Sequence, residues 1–272
     1  MKFVKIHGIG NDYIFINGFE EKLVEKTLPD LARKMSKRHF GIGSDGIILI
    51  LPSKKADFKM RIFNADGSEA EMCGNGIRGF AKYVHEKGLT DKKEITVETL
   101  AGIIKPTILK DKVKVDMGEP ILDAAKIPTT EKGQLVDFPL EVDNKCYHIT
   151  TVSMGNPHAV VFVESFNFDV ADVGSAIENH PLFPKKTNVE FIEIINDKEL
   201  GMQVWERGSG VTLACGTGAC AAAVASVLNK KSGRRVTVHL IGGDLDIEWN
   251  EKDNHVYMTG PAEIVFEGEW KG

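Results

Sequence analysis

EMCGNGIRGF (Glu71–Phe80) and LACGTGACAA (Leu213–Ala222) are two versions of one pattern. Each sets a cysteine directly before Gly-x-Gly, and each Gly-x-Gly opens an apolar run. Cys73 and Cys215 are 142 residues apart (215 − 73), and MRIFNADGS from Met60 lies over MQVWERGSG from Met202 at the same offset. TVETLAGII from Thr96 lies over TVHLIGGDL from Thr237, and Met117 over Met258, both at an offset of 141. Near the start, GIGNDYIFI matches SMGNPHAVVF, with Asn11 over Asn156 at 145. Matches in one order, with an offset that drifts by only a few residues, mark a duplicated unit of domain size, too long for a solenoid repeat.

Period-2 alternation predicts strands at FVKI, YIFI, IILI, FKMRIF, ITVET and KVKVDM in the first half. The second half offers CYHITTV, HAVVFV, VEFIEII, MQVWE, RVTVHL and LDIEW. Many strands follow one another without a helix between them, which favours antiparallel or mixed sheets within an α/β (α+β) fold. Helices are expected at Leu28–His39 on the surface, from Gly74 to about Lys87, and from Gly216 to about Asn229. The second carries Ile77, Phe80, Ala81 and Val84 on one face, with Gly88 as its stop. The third is small or apolar nearly all round, the mark of a buried helix. Each half is therefore expected to wrap strands around one central helix, with Cys73 or Cys215 at its start.

A helix start carries unpaired N–H groups and about half a positive charge. A cysteine there becomes a usable base or nucleophile. A carboxylate can dock on the same N–H groups, and the glycines let backbone approach a ligand closely. Two such ends facing one ligand suit inversion of a carbon beside a carboxylate. One thiol removes the proton, the other delivers a proton to the opposite face, and the N–H groups hold the enediolate-like charge.

Composition sets bounds. The chain has 272 residues, 42% hydrophobic and 27% charged, with a net charge of −5. An acidic balance argues against nucleic acid as the main partner. No run of 18 apolar residues predicts a membrane span, and MKFVKIHGIGND does not read as a secretory signal. A cytoplasmic location is the default expectation. None of the four cysteines forms a C-x-x-C pair, so no metal is expected. Cys146 and Cys220 read as small core residues.

The longer blocks KIHGIGNDYI, RHFGIGSDG, RIFNADGSEAEMCGNGIRGFA, VDMGEP, VSMGNPHAV, TNVEFI, ERGSGVTLACGTGACAAA and MTGPA resemble the diaminopimelate epimerase family over essentially the whole chain. The resemblance implies two pseudosymmetric domains, each a mostly antiparallel barrel-like sheet wrapped around a central helix. They are expected at 1–118 plus 263–272 and at 119–262, with the active site in the cleft between them. It implies cofactor-independent epimerisation of LL-2,6-diaminopimelate to the meso form, with no pyridoxal, no metal, no membrane partner, and a homodimer. Cys73 and Cys215 would be the paired proton donor and acceptor, with His158 and Glu206 as catalytic polar residues beside the thiols. Asn11, Asn64, Asn75, Asn156, Asn188, Glu206 and Arg207 would bind substrate, together with the backbone of Gly74–Asn75 and of Gly216–Thr217. Gly46 stands where several relatives place Gln, and Gly79 where relatives often have Cys. Three other readings stay open: a racemase or epimerase of proline derivatives, a thiol redox protein, and a non-enzymatic amino-acid-binding protein.

Overall fold

A computed structural model describes residues 1–272. The first strands are β1 (Lys2–Gly8), β2 (Asn11–Asn17), β3 (Gly46–Leu51), β4 (Phe58–Asn64) and β5 (Glu69–Ala70), with α1 (Leu28–Ser36) between β2 and β3. Then come α2 (Gly74–Glu86), β6 (Val97–Thr99), β7 (Gly102–Ile104), β8 (Pro106–Ile108) and β9 (Val113–Asp116). The second half begins with β10 (Phe138–Val142), β11 (Lys145–Ser153), β12 (Pro157–Val163), α3 (Val170–Glu178) and β13 (Asn188–Asn196). It continues through β14 (Glu199–Glu206), β15 (Gly210–Thr212), α4 (Gly216–Leu228), β16 (Arg235–Leu240), β17 (Gly243–Trp249) and β18 (Val256–Gly260), and the last strand is β19 (Glu263–Glu269). The chain divides into two units, Met1–Asp116 with Thr259–Gly272, and Met117–Met258.

The first unit's sheet runs β19-β1-β2-β3-β4-β6-β7, with β5 beside β4. The second unit's runs β10-β11-β12-β13-β14-β16-β17-β18, with β15 beside β14. Strand directions repeat as well. The β2/β3 and β4/β6 pairs are parallel and the β1/β2, β3/β4 and β6/β7 pairs antiparallel. The same holds for β12/β13 and β14/β16, parallel, and for β11/β12, β13/β14 and β16/β17, antiparallel. The class is mixed α/β with antiparallel pairs in the majority, and each sheet follows a path with two ends. The parallel pairs arise where α1, α2, α3 and α4 carry the chain across, since a parallel neighbour needs a crossover.

Both faces of the central strands are covered, so β2 and β3 read as continuous apolar runs. Ile14, Ile16, Ile47 and Leu49 pack with Leu28, Ala32 and Met35 of α1. Alternate residues turn to the other face: a Cβ at Gly79 of α2 would lie 2.8 Å from Phe15 Cζ. In the second unit Ala159, Val161, Val189 and Phe191 pack with Val170 and Ile177 of α3. The predicted face of α2 (Ile77, Phe80, Ala81, Val84) is fully buried, as is nearly all of α4.

Three expectations differ from the structure. The first helix ends at Ser36 rather than His39, because Lys37 is extended and Gly41 N–H donates to Lys37 O. Helix α3 did not stand out by periodicity; its signal is Asp169, whose carboxylate caps it by accepting from Ala171 N and Asp172 N. Cys146 is exposed on β11 rather than in the core, because it lies in the segment of β11 that faces outward, ahead of the buried Ile149–Ser153. Cys220 is fully buried in α4.

Candidate active site

Each cysteine is the N-cap of its helix. Cys73 has φ −139° and ψ 119°, Cys215 φ −126° and ψ 108°, the extended conformation an N-cap requires. Cys73 Sγ accepts from Gly76 N–H at 3.4 Å, and Cys215 Sγ from Gly218 N–H at 3.4 Å. A sulfur thus takes the place of the usual Ser or Asp oxygen. The first-turn amides of Gly74, Asn75, Gly216 and Thr217 lie outside the helical ladder, at the positive end of each helix dipole. Gly76 and Gly218 permit close approach of helix to sheet. A Cβ at Gly76 would lie 2.8 Å from Ile48 Cδ1, and one at Gly218 2.7 Å from Glu190 Oε1.

Around Cys73 the first unit builds a network that acts on the thiol hydrogen. Cys73 Sγ donates to Asn11 Oδ1 at 3.3 Å, and Tyr13 OH donates to the sulfur at 3.6 Å. Asn11 Nδ2 donates to Asp45 Oδ2 at 2.7 Å, and Arg38 donates to Asp45 Oδ1 at 3.0 Å. Burial raises the Asp45 carboxyl above its ordinary range. Burial, then the neighbouring Cys73 thiol, pushes the Tyr13 hydroxyl well up.

Around Cys215 the network differs. Thr217 Oγ1 lies 3.5 Å from Sγ, and Asn156 Nδ2 donates to that hydroxyl at 3.2 Å. Asn156 Oδ1 lies 3.1 Å from His158 Nε2, and His158 Nδ1 lies 2.7 Å from Glu190 Oε1. His158 and Glu190 are fully buried. The Glu206 carboxylate accepts from Thr212 Oγ1, and it and the Cys215 thiol influence each other's protonation. Burial raises the Glu206 carboxyl. The Cys215 thiol is pushed well up by burial and by the Glu206 and Glu190 carboxylates, against the pull of Thr217 and Gly218 N–H.

The remaining expected residues fall near these networks or stand apart from them. Asn75 is buried in the first turn of α2, and its Oδ1 has no hydrogen-bond donor. Asn64 ends β4 opposite Gly46, its amide donating to Ser68 Oγ at 3.0 Å. Asn188 pairs with His158 in the ladder, donates to Pro157 O at 2.8 Å and accepts from Arg207 N at 2.9 Å. Its amide is thus spent on backbone, while the exposed Arg207 guanidinium donates to Lys185 O at 3.2 Å. A Cβ at Gly46 would lie 2.2 Å from Phe63 O, so this strand pair admits no side chain at that position without a backbone shift.

A family model described as diaminopimelate epimerase matches residues 3–122 and 150–265. The chain belongs to the diaminopimelate epimerase family. Curated diaminopimelate epimerases from Acetivibrio thermocellus and Methanococcus maripaludis are 58% and 57% identical to it, covering 99% of this chain and 98% and 99% of theirs. The Moorella thermoacetica enzyme of that name is 57% identical, covering 99% of both chains. Among solved structures, a phenazine biosynthesis protein of the PhzF family from Bacillus anthracis superposes with TM-score 0.71 at 19% identity, covering 98% of both chains. A hydroxyproline epimerase from Agrobacterium vitis superposes with TM-score 0.68 at 15% identity, over 98% of this chain and 90% of that one. At those identities the likeness is one of fold.

For this diaminopimelate epimerase family member, sequence reasoning missed Tyr13, Asp45, Thr212 and Glu190. Tyr13 was hidden inside a strand pattern. Glu190 carried a usable signal: it is an acid at a core-facing strand position, 142 residues after the apolar Ile48 (190 − 48). No helix in the structure is long and apolar enough to cross a membrane.

Proposed function

We propose that the protein epimerises LL-2,6-diaminopimelate to meso-diaminopimelate without pyridoxal, using Cys73 and Cys215 as the two proton-transfer groups. The observation that carries this reading is the pair of sulfur N-caps at repeat-equivalent positions, each beside an anion-binding helix start. One thiolate removes the α-proton, and the other thiol supplies a proton to the opposite face of the carbanion. The sulfurs exchange protonation states, and one turnover leaves one thiol and one thiolate. The substrate carboxylate, docked on first-turn amides, carries the transient enediolate charge. Glu206 and the His158 chain supply the local charge that lets Cys215 change protonation state. Asn75 Oδ1, a buried acceptor lacking a donor, suits a substrate ammonium. The non-equivalent repeat pairs, Asn64 against Glu206 and Asn75 against Thr217, suit a substrate whose two faces must be told apart. A cytoplasmic location, a homodimer and an active-site cleft between the 1–118/263–272 and 119–262 halves complete the reading and rest on family membership.

The test is α-proton exchange in heavy water, followed by NMR with LL-diaminopimelate and no added cofactor. Deuterium uptake with formation of the meso isomer is expected. Tight binding without uptake would move the reading to a binding protein, and uptake only with proline-type substrates to a proline racemase. Peroxide reduction or thiol exchange without α-proton uptake would favour a redox protein.

A further inference from the structure

Repeat symmetry between the two cysteine sites also breaks at a fully buried position of the sheets. Ile48 and Glu190 are 142 residues apart (190 − 48), and their ladder partners Ile62 and Val204 are also 142 apart (204 − 62). Each faces the Gly-x-Gly turn of its central helix. In the first unit that position is an apolar side chain; in the second it is a fully buried carboxylate. Such a carboxylate is costly unless a charged partner and hydrogen bonds satisfy it. The partner on its own sheet is the fully buried His158, at 2.7 Å, while Glu190 Oε2 has no donor.

We propose that Glu190 is a positioning residue that sets the hydrogen-bond direction at Cys215, acting through His158, Asn156 and Thr217. With Nδ1 donating to Glu190, the ring holds a proton on Nε2 as well and presents it to Asn156 Oδ1 at 3.1 Å. Asn156 then has one orientation open to it, with Nδ2 toward Thr217 Oγ1. Thr217 Oγ1, already accepting from that amide, turns its own hydrogen to Cys215 Sγ at 3.5 Å. The chain thus ends in a donor to sulfur, which supports the thiolate against the burial and carboxylate charge around Cys215. With an uncharged acceptor in place of the carboxylate, a neutral ring that keeps its one proton on Nδ1 would accept at Nε2, Asn156 would reverse, and the Thr217 hydrogen would be drawn away from the sulfur.

This inference rests on the proposed role of Cys215, and its readout is separate from turnover. Iodoacetamide alkylation of each cysteine, followed by peptide mass spectrometry at about pH 8, measures thiolate availability site by site. Glu190→Gln is expected to slow alkylation of Cys215 about tenfold and leave Cys73 within about twofold. It should also lower kcat while KM stays within about threefold. Thr217→Val cuts the last link and should slow Cys215 equally, and Glu190→Gln/Thr217→Val should be no slower than either alone. Should Glu190→Gln fail to fold, His158→Phe/Glu190→Ile replaces the buried pair by apolar side chains and should give the same slowing. Faster or unchanged Cys215 alkylation in Glu190→Gln, equal slowing at both thiols, or multiplying effects in the double variant would overturn the proposal. Those results leave the epimerase reading untouched, since that reading stands or falls on α-proton exchange by the wild type.

Discussion

Asn11 and Asn156 occupy equivalent positions in the two units yet turn opposite ends of their amides toward the cysteine side. Asn11 presents Oδ1 and accepts the Cys73 thiol hydrogen at 3.3 Å, because its Nδ2 is committed to the Asp45 carboxylate at 2.7 Å. Asn156 presents Nδ2 to Thr217 at 3.2 Å, because its Oδ1 faces His158. At Cys73 the asparagine takes the thiol hydrogen directly; at Cys215 it donates instead to the Thr217 hydroxyl that lies beside the sulfur.

Cys73→Ala and Cys215→Ala should each reduce epimerisation by at least about a hundredfold, since each removes one of the two proposed proton-transfer groups. Full turnover in either variant would remove the two-thiol mechanism.

Asp45→Ala should release the Asn11 amide, leaving Cys73 without a fixed acceptor. It also strands the Asp12 N–H and Arg38, which now donate to Asp45. A stability loss of about 1–3 kcal/mol is expected, with kcat reduced more than that loss explains. Thermal melts run beside steady-state kinetics check it.

Glu206 has a raised pKa, first through burial, so it takes up its proton at a higher pH than an exposed glutamate does. Protonated Glu206 is no longer a base toward the Cys215 thiol hydrogen. Activity should therefore fall, as pH drops, at a higher pH than an exposed glutamate would give. Glu206→Gln should lower kcat and abolish that limb of the profile; an unchanged limb would assign it to another group.

Tyr13→Phe removes the hydroxyl that donates to Cys73, and about a tenfold loss in kcat is expected. The Tyr13 hydroxyl is raised well above its ordinary value, so it should stay protonated throughout the usual assay range. A loss of activity that tracked tyrosine ionisation below pH about 10 would contradict this.

Gly76→Ala and Gly218→Ala test the close approach of helix to sheet. The new methyl would sit 2.8 Å from Ile48 in the first case and 2.7 Å from the Glu190 carboxylate in the second. Both should destabilise by about 1–3 kcal/mol through overpacking. Only Gly218→Ala should also change alkylation of Cys215, because it displaces the carboxylate held against His158.

The sequence by itself determined the duplication, the two central helices and the position of both cysteines. These depend on local signals: apolar period, Gly-x-Gly and a fixed offset between halves. It also singled out His158, Glu206, Asn156 and Thr217, which the fold joins around Cys215. It did not show α3, whose only mark is an Asp cap, nor the outward-facing Cys146. The long-range partners came only from the tertiary structure. Glu190 shows in the sequence only as an acid where the first half has Ile48, and only parallel pairing with β12 sets its carboxylate beside His158 and under the turn of α4. Amide direction at Asn11 and Asn156 likewise depends on groups distant in sequence, Asp45 and Glu190. Hydrogen-bond direction depends on which donors and acceptors burial leaves together, and chain folding alone brings them together.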